Sequence, residues 1–291
     1  MAKGVLLILM IIVALATLTT PNPETPTKKE NKENPSENKP KGIIAESEGI
    51  PELLWEFKIP SNGIACYPPV IGDVDCDKTL ELILVTMKPN PSTGFYEIPD
   101  IYCLDPEGSI EWMYLMGTQE YFFFPPSLGD VDNDTYLETI LGGWLYGIYC
   151  FDGNGNLEWK FLAGEWIFEL FFSSPTLVDL DGDGDLEILI GSQLGYIYCL
   201  NGDGSLRWKY RTGGITCSSP AVGDVDGEGD LEVVVGSDDS YVYCLTVNGM
   251  LKWRYKTYGR VLSSPAIGDV DGDGRFEIII GSSDTYVYCL S

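Results

Sequence analysis

From about residue 50 onward, hydrophobic and polar positions recur with a period of about 45 residues, and within each period they keep a two-residue beat. The clearest period begins at Ser218-Ser-Pro-Ala-Val-Gly223, a first short strand that runs into an acidic stretch at Asp224. Leu231-Glu-Val-Val-Val-Gly236 follows, and its near-continuous apolar run predicts a strand buried on both faces. Tyr241-Val-Tyr-Cys-Leu245 predicts a third strand, and Asn248-Gly249 a hairpin turn. The fourth strand, Leu251 to Lys256, alternates strictly: Leu251, Trp253 and Tyr255 on one face, Lys252, Arg254 and Lys256 on the other. Cations on such a half-exposed outer strand discourage edge-to-edge aggregation. Four short antiparallel strands per period predict a β-propeller blade.

The outer strands carry Trp55, Trp112, Trp159, Trp208 and Trp253. The last period has only three strands, ending in Tyr286-Val-Tyr-Cys-Leu290, whereas Leu53-Leu-Trp-Glu-Phe-Lys-Ile59 matches the fourth strand of the others. The expectation is an all-β fold over residues 49–291: a five-bladed β-propeller of four-stranded antiparallel blades, closed by the N-terminal outer strand. The alternative is an open part of a larger ring, because many propellers have six to eight blades.

The acidic stretch recurs five times, starting at Asp73, Asp130, Asp179, Asp224 and Asp269. Carboxylates stand at positions 1, 3, 5 and 9 of each copy. They are Asp73, Asp75, Asp77 and Glu81; Asp130, Asp132, Asp134 and Glu138; Asp179, Asp181, Asp183 and Glu187; Asp224, Asp226, Glu228 and Glu232; and Asp269, Asp271, Asp273 and Glu277. Position 7, occupied by Asp185, Asp230 and Arg275 in the last three copies, would add a backbone carbonyl. An all-oxygen set on a flexible loop suits Ca²⁺ better than a transition metal. Four carboxylates without a cation would repel one another. An EF-hand is excluded, because position 12 of the last copy is Ile280 and the flanks read as strands. The third and fifth copies are the cleanest. The first two lack the glycine at position 6, having Lys78 and Thr135. Up to five Ca²⁺ ions are expected.

Charge and composition narrow the function. Positions 1, 3, 5 and 9 of these loops supply twenty of the 44 acidic residues behind a net charge of −26, so the chain has no electrostatic reason to bind nucleic acid. There is no histidine, which removes Ser-His-Asp and Cys-His catalysis and every His-ligated metal site. Lys3 precedes an apolar run from Val5 to Val13, and Ala14-Leu15-Ala16 fits a cleavage site. Residues 1–19 are therefore expected to be a signal peptide or an uncleaved N-terminal anchor, the latter being the one expected membrane contact. Residues 20–48, rich in Pro, Lys, Glu and Asn, are expected to be a disordered linker. Either way the folded part would be extracellular or at the cell surface.

The stretch from Ser263 to Ser282, SSPAIGDVDGDGRFEIIIGS, resembles the FG-GAP (VCBS-like) repeats of integrin-α-type propellers. The YVYCL…NGMLKW half that follows the fourth acidic loop resembles the quinoprotein-type (PQQ-like) propeller repeat. The resemblance covers about residues 50–291 and implies an extracellular, Ca²⁺-loaded scaffold for adhesion or ligand binding. No adjacent Cys-Cys pair is present, which argues against quinone-dependent oxidation.

Cys103, Cys150, Cys199, Cys244 and Cys289 share one third-strand position, so they are expected to be small buried hydrophobes, too far apart to pair. Cys66 and Cys217 share a first-strand position in blades that are not adjacent, and Cys76 sits in the first acidic loop. Aromatic side chains cluster before the second and third loops, at Tyr121–Phe124 and at Trp166, Phe168, Phe171 and Phe172. They either fill the core or form a binding face for sugar or protein. The leading expectation is a non-enzymatic binding or adhesion module for a protein or carbohydrate ligand at the propeller face. The alternatives are a scaffold subunit of a surface complex, or a polysaccharide-acting enzyme. The enzyme would need carboxylates outside the loops, such as Glu120, Glu165, Glu169, Asp238, Asp239 or Asp284, none of which forms an obvious pair.

Overall fold

In the computed structural model, the apolar runs that follow the acidic loops become the buried centres of five antiparallel sheets. The structure describes residues 53–291 except 66, 92–93, 95, 117–121, 123, 144–146 and 164–168. The signal or anchor at 1–19 and the linker at 20–48 lie outside the described residues, as do Cys66, Glu120, Tyr121, Phe123, Glu165, Trp166 and Phe168.

The first sheet contains β1 (Ile64–Ala65), β2 (Val70–Gly72), β3 (Glu81–Pro89), β4 (Tyr96–Leu104) and β5 (Ile110–Leu115). The second contains β6 (Ser127–Gly129), β7 (Glu138–Gly142), β8 (Ile148–Phe151) and β9 (Leu157–Phe161). The third contains β10 (Thr176–Val178), β11 (Glu187–Gly191), β12 (Tyr196–Leu200) and β13 (Leu206–Arg211). The fourth contains β14 (Ala221–Gly223), β15 (Glu232–Gly236), β16 (Tyr241–Thr246) and β17 (Leu251–Lys256). The fifth has three strands, β18 (Ala266–Gly268), β19 (Glu277–Gly281) and β20 (Val287–Leu290). Among the described residues, the single helical element is a 3₁₀ turn at Pro60–Asn62. In the first sheet the inserted residues lengthen the β3–β4 hairpin, with Lys88 opposite Ile98 and Pro89 opposite Tyr96.

Side-chain alternation sends each sheet's two faces into two different cores. Ile140, Ile148 and Cys150 of the second sheet pack with Ile188, Ile190 and Tyr198 of the third, whereas Leu141, Tyr149 and Phe151 face Ile83, Val85 and Cys103 of the first. The third and fourth sheets, and then the fourth and fifth, repeat the arrangement. Phe122 and Phe171 are buried in these cores, as the core-filling reading of the aromatic clusters expects. So are Cys103, Cys150, Cys199 and Cys244, and no disulfide joins the described cysteines.

Outer-strand tryptophans tie each of the first three sheets to the next. Each lies opposite a third-strand cysteine: Cys103 and Trp112, Cys150 and Trp159, Cys199 and Trp208, Cys244 and Trp253. Trp112, Trp159 and Trp208 then donate Nε1–H to the carbonyls of Gly153, Gly202 and Val247 in the following sheet's hairpin turn, each at 2.8 Å. The turn glycine is required there on two counts. Gly155 has φ +79°, and a Cβ on it would lie 2.4 Å from the Trp112 ring.

The expected closing strand is not formed. Leu53–Ile59 takes no strand and pairs with no part of β20. It lies instead on the first sheet. Trp55 Nε1 donates to the Pro106 carbonyl at 2.9 Å, and Phe57 and Ile59 pack on Leu84, Tyr102 and Leu104. Among the described residues, shared cores join each sheet to the next from the first to the fifth, and no such core joins the fifth to the first.

Candidate metal loops

The five acidic loops join the first and second strands of the sheets and share one hydrogen-bond frame. Position 9 is a buried glutamate whose Oε2 accepts the backbone N–H of position 2. This holds for Glu81 with Val74, Glu138 with Val131, Glu187 with Leu180, Glu232 with Val225 and Glu277 with Val270, at 2.9–3.0 Å. Position 1 accepts the N–H of position 6 on Oδ2, at 2.9–3.1 Å from Lys78, Thr135, Gly184, Gly229 and Gly274. One carboxylate thus closes each end of the loop, and in the second to fifth loops Oδ1 of position 1 accepts a further backbone N–H, from Asp134, Gly182, Gly227 and Gly272.

The frame needs left-handed backbone at positions 4 and 6, which glycine supplies in the last three loops. The first two loops adopt the same turn without glycine: Cys76 and Lys78 have φ 60° and 77°, Asn133 and Thr135 have φ 63° and 82°. For β-branched Thr135 such a φ is strained, at a cost on the order of 1 kcal/mol or more. Cys76 points outward, as its spacing implies, and donates to the Thr135 carbonyl of the neighbouring loop at 2.8 Å.

In the first four loops the structure gathers positions 1, 3 and 9: Asp73, Asp75 and Glu81; Asp130, Asp132 and Glu138; Asp179, Asp181 and Glu187; Asp224, Asp226 and Glu232, with one oxygen of each residue within 4.8 Å of the others. In the fifth, Asp269, Asp271 and Asp273 gather instead. The expected position-5 ligands are not in the first four clusters, and the expected position-9 ligand Glu277 is not in the fifth. Asp77 Oδ1 accepts from Thr79, Asp134 Oδ1 from Tyr136 and Asp183 Oδ1 from Asp185, each using an oxygen to hold position 7. Asp273 Oδ1 likewise accepts from the Arg275 backbone. Glu228 is exposed, 3.9 Å from Lys252. Asp230 is exposed, and Asp185 Oδ1 accepts from Asn133 Nδ2 of the preceding loop at 3.3 Å.

The loops differ in what meets their inward oxygens. Asp73 Oδ1 and Glu138 Oε1 are buried and have no hydrogen-bond partner. A buried carboxylate oxygen left in that state is costly, and a hard cation is the partner its chemistry suits, so the first two loops fit Ca²⁺. Burial pushes the Glu138 carboxyl up to about 7, with Asp132, Glu158 and Asp134 adding to the shift. The second residue of the outer strand adds charge beside each of these loops. Glu111 and Glu158 accept weak hydrogen bonds from Cys103 and Cys150 at 3.5 and 3.4 Å, and burial raises both carboxyls.

In the third and fourth loops that outer-strand position is cationic. Arg207 reaches Glu187 Oε1 with Nη1 at 2.5 Å and pairs with Asp181 through Nη2. Its hydrogen bond holds the Asp181 carboxyl below the ordinary range. Lys252 pairs with Asp226 and lies 3.0 Å from Glu232 Oε1. The third loop is therefore partly compensated by its own sheet, one guanidinium charge against three clustered carboxylates, a feature that loop spacing alone does not reveal.

The described carboxylates considered for catalysis, Glu169, Asp238, Asp239 and Asp284, are each engaged elsewhere. Tyr243 donates to Asp239 at 2.5 Å, and Tyr288 to Asp284 at 2.7 Å. Asp238 pairs with Arg260. Buried Glu169 accepts from Tyr198 at 2.6 Å and from Ser192.

Comparison with known proteins agrees with this architecture. The FG-GAP-like repeat family matches residues 179–235, from the third loop into the fourth sheet. No curated protein matches the sequence. Among solved structures, the V. cholerae biofilm matrix protein Bap1 is 23% identical, with a TM-score of 0.57 over 74% of this chain and 35% of that one. Saccharomyces cerevisiae Sqt1 is 13% identical, with a TM-score of 0.58 over 77% of this chain and 59% of that one. Quinohemoprotein alcohol dehydrogenase from Comamonas testosteroni is 12% identical, with a TM-score of 0.51 over 72% of this chain and 40% of that one. The chain thus spans from about a third to three fifths of these proteins, and the likeness is one of fold. The chain carries FG-GAP-like repeats on a fold of the β-propeller type.

Proposed function

We propose that the protein is an exported, calcium-stabilised β-propeller module that binds a protein or carbohydrate ligand outside the cell and performs no catalysis itself. The observation that carries the calcium reading is the pair of buried, unpartnered oxygens, Asp73 Oδ1 and Glu138 Oε1, each inside a carboxylate cluster. A cation bound there stabilises the folded state alone and draws the equilibrium towards it. With the loop turns pinned, the loop-bearing edge of each sheet becomes a rigid surface on which a ligand can be held.

Export is supported by the Lys3-to-Ala16 pattern, and adhesion by the likeness of fold to Bap1, itself described as a biofilm matrix protein. The binding reading over catalysis is supported by Glu169, Asp238, Asp239 and Asp284, whose carboxylates are spent on tyrosines, a serine or an arginine within the sheets.

The test is thermal unfolding of the chain in Ca²⁺, in Mg²⁺ and in chelator, followed by glycan- and protein-array binding in Ca²⁺ buffer. A Ca²⁺-selective rise in melting temperature together with ligand capture is expected. Identical melting in all three buffers, with no ion found by elemental analysis, would remove the calcium assignment. Hydrolysis of an arrayed polysaccharide would remove the non-catalytic one.

A further inference from the structure

One irregularity recurs in the outer strands of the first four sheets. The pairing of the third and fourth strands shifts register between Cys103 and Leu104, Cys150 and Phe151, Cys199 and Leu200, and Cys244 and Leu245. Each cysteine lies opposite a tryptophan, and the next third-strand residue lies opposite the residue two places before that tryptophan. One outer-strand residue is left over at each shift: Glu111, Glu158, Arg207 and Lys252. A bulge of this kind gives up ladder pairing and re-aims the extra side chain.

The extra side chain is aimed at the acidic loop of its own sheet. Arg207 meets Asp181 and Glu187, positions 3 and 9 of the third loop, and Lys252 meets Asp226 and Glu232, the same positions of the fourth. Glu158 holds the equivalent place at the second loop, where Cys150 donates to its Oε2 at 3.4 Å. Burial, and then the charges of Asp132 and Glu158, push the Glu138 carboxyl up. Glu111 holds that place at the first loop, where Cys103 donates to it at 3.5 Å. The bulge therefore brings a negative charge to two loops and a positive charge to two. The effect is plainest at Oε1 of position 9. In the third and fourth loops this atom meets the sheet's own cation, at 2.5 Å for Glu187 and 3.0 Å for Glu232. In the second loop Glu138 Oε1 is buried without a partner, within the cluster of Asp130, Asp132 and Glu138. In the first loop the buried oxygen without a partner is Asp73 Oδ1, within the cluster of Asp73, Asp75 and Glu81.

We propose that the bulged outer-strand residue decides which of the first four loops take a divalent cation. Glu111 and Glu158 commit the first and second loops to a hard dication such as Ca²⁺, whereas Arg207 and Lys252 stand in for one in the third and fourth. This rests on the calcium reading above and narrows it. A dication among the third loop's carboxylates would lie beside a guanidinium bound to the same oxygens, so Arg207 must leave before it binds, and the apparent affinity falls accordingly. At the second loop a dication meets a buried oxygen without a partner, a carboxylate cluster, and Glu158 in the place of the cation. Affinity for such an ion rises with the negative charge around it. The loop sequences alone rank the copies in the opposite order. The third has glycine at positions 4 and 6, Gly182 and Gly184, and the first two have none there.

The test counts Ca²⁺ bound per chain, by equilibrium dialysis and elemental analysis, in the full chain and in its Arg207→Glu and Glu158→Arg variants. Circular dichroism confirms that each is folded. Arg207→Gln and Glu158→Gln, which remove a charge without reversing it, take the place of a reversal that does not fold. The expected result is one ion gained in Arg207→Glu and one lost in Glu158→Arg, relative to the wild type. The glutamine variants should strengthen and weaken the corresponding site on the order of 10-fold or more. A purely structural role for these side chains would move the melting temperature and leave the ion count alone. An unchanged count in either folded reversal overturns the proposal, and if the wild type binds Ca²⁺ the calcium reading still stands. No ion on the wild type or on any variant overturns both.

Discussion

Arg207 on the third sheet's outer strand pairs with Glu187, the buried ninth residue of that sheet's acidic loop, with Nη1 2.5 Å from Oε1. The same guanidinium pairs with Asp181, so one side chain bridges positions 3 and 9 of the loop. Lys252 bridges Asp226 and Glu232 in the next sheet. Each places a fixed positive charge where a divalent ion would otherwise balance the carboxylates.

Arg207→Ala is therefore expected to have a buffer-dependent cost. In chelator it leaves Glu187 and Asp181 uncompensated and should lower stability by about 1–3 kcal/mol, less than for a fully buried pair because Asp181 is a third exposed. In Ca²⁺ an ion can take the vacated place, and much of the loss should be recovered. Denaturant unfolding in both buffers measures this. An equal loss in both would mean that the arginine acts by packing alone.

The opposite dependence is expected in the second loop, where Glu138 Oε1 has no protein partner. Glu138→Gln should cost little or nothing in chelator, since it removes a buried charge. In Ca²⁺ it should remove one ion from the stoichiometry, read by calorimetry, and with it the stabilisation from that site, about 2.7 kcal/mol at a hundredfold excess over the dissociation constant. Unchanged stoichiometry would place the ion elsewhere.

These two loops show what sequence makes legible and what it does not. The period, the two-residue beat and the Asn248-Gly249 turn reveal strands and sheets, because each is local chemistry. The carboxylate spacing reveals the loops for the same reason. Arg207 and Lys252 each stand 26 residues from the aspartate they meet, and only the three-strand meander between brings them there. The turn at Lys78 and Thr135 forms without glycine because the shared hydrogen-bond frame outweighs the local strain. The closing strand was expected from the match of Leu53–Ile59 to the outer strands. That match is real, but the segment's tryptophan and phenylalanine are held by the first sheet, not by β20.

The cysteines should separate by reactivity. Burial pushes the Cys199 and Cys244 thiols up to about 12, and Cys103 and Cys150 higher still, whereas Cys76 and Cys289 are exposed. Peptide mapping after alkylation at pH 8 should find Cys76 and Cys289 modified and the four buried thiols intact until the protein unfolds. For the buried thiols the folded state holds the proton more tightly than the unfolded state. Their contribution to stability is therefore complete below about pH 9 and lost as the pH rises through 12. Equal labelling of all six would refute the buried-core assignment.

The last prediction concerns Glu169, which sequence spacing did not place. In the fourth and fifth sheets a third-strand tyrosine donates to an aspartate four residues before it, Tyr243 to Asp239 and Tyr288 to Asp284. In the third sheet the equivalent of that aspartate is Leu194, which is exposed, and Tyr198 bonds Glu169 from the preceding connection instead. Glu169→Ala leaves the buried Tyr198 and Ser192 hydroxyls without their acceptor, which should cost about 1–3 kcal/mol. Adding Leu194→Asp restores a carboxylate at the position used by the neighbouring sheets. An aspartate on that exposed site carries little penalty of its own, so the double variant should regain most of the loss. A double-mutant cycle in urea tests the arrangement. Simple additivity of the two changes would show that Leu194 does not stand where the other sheets hold their aspartate.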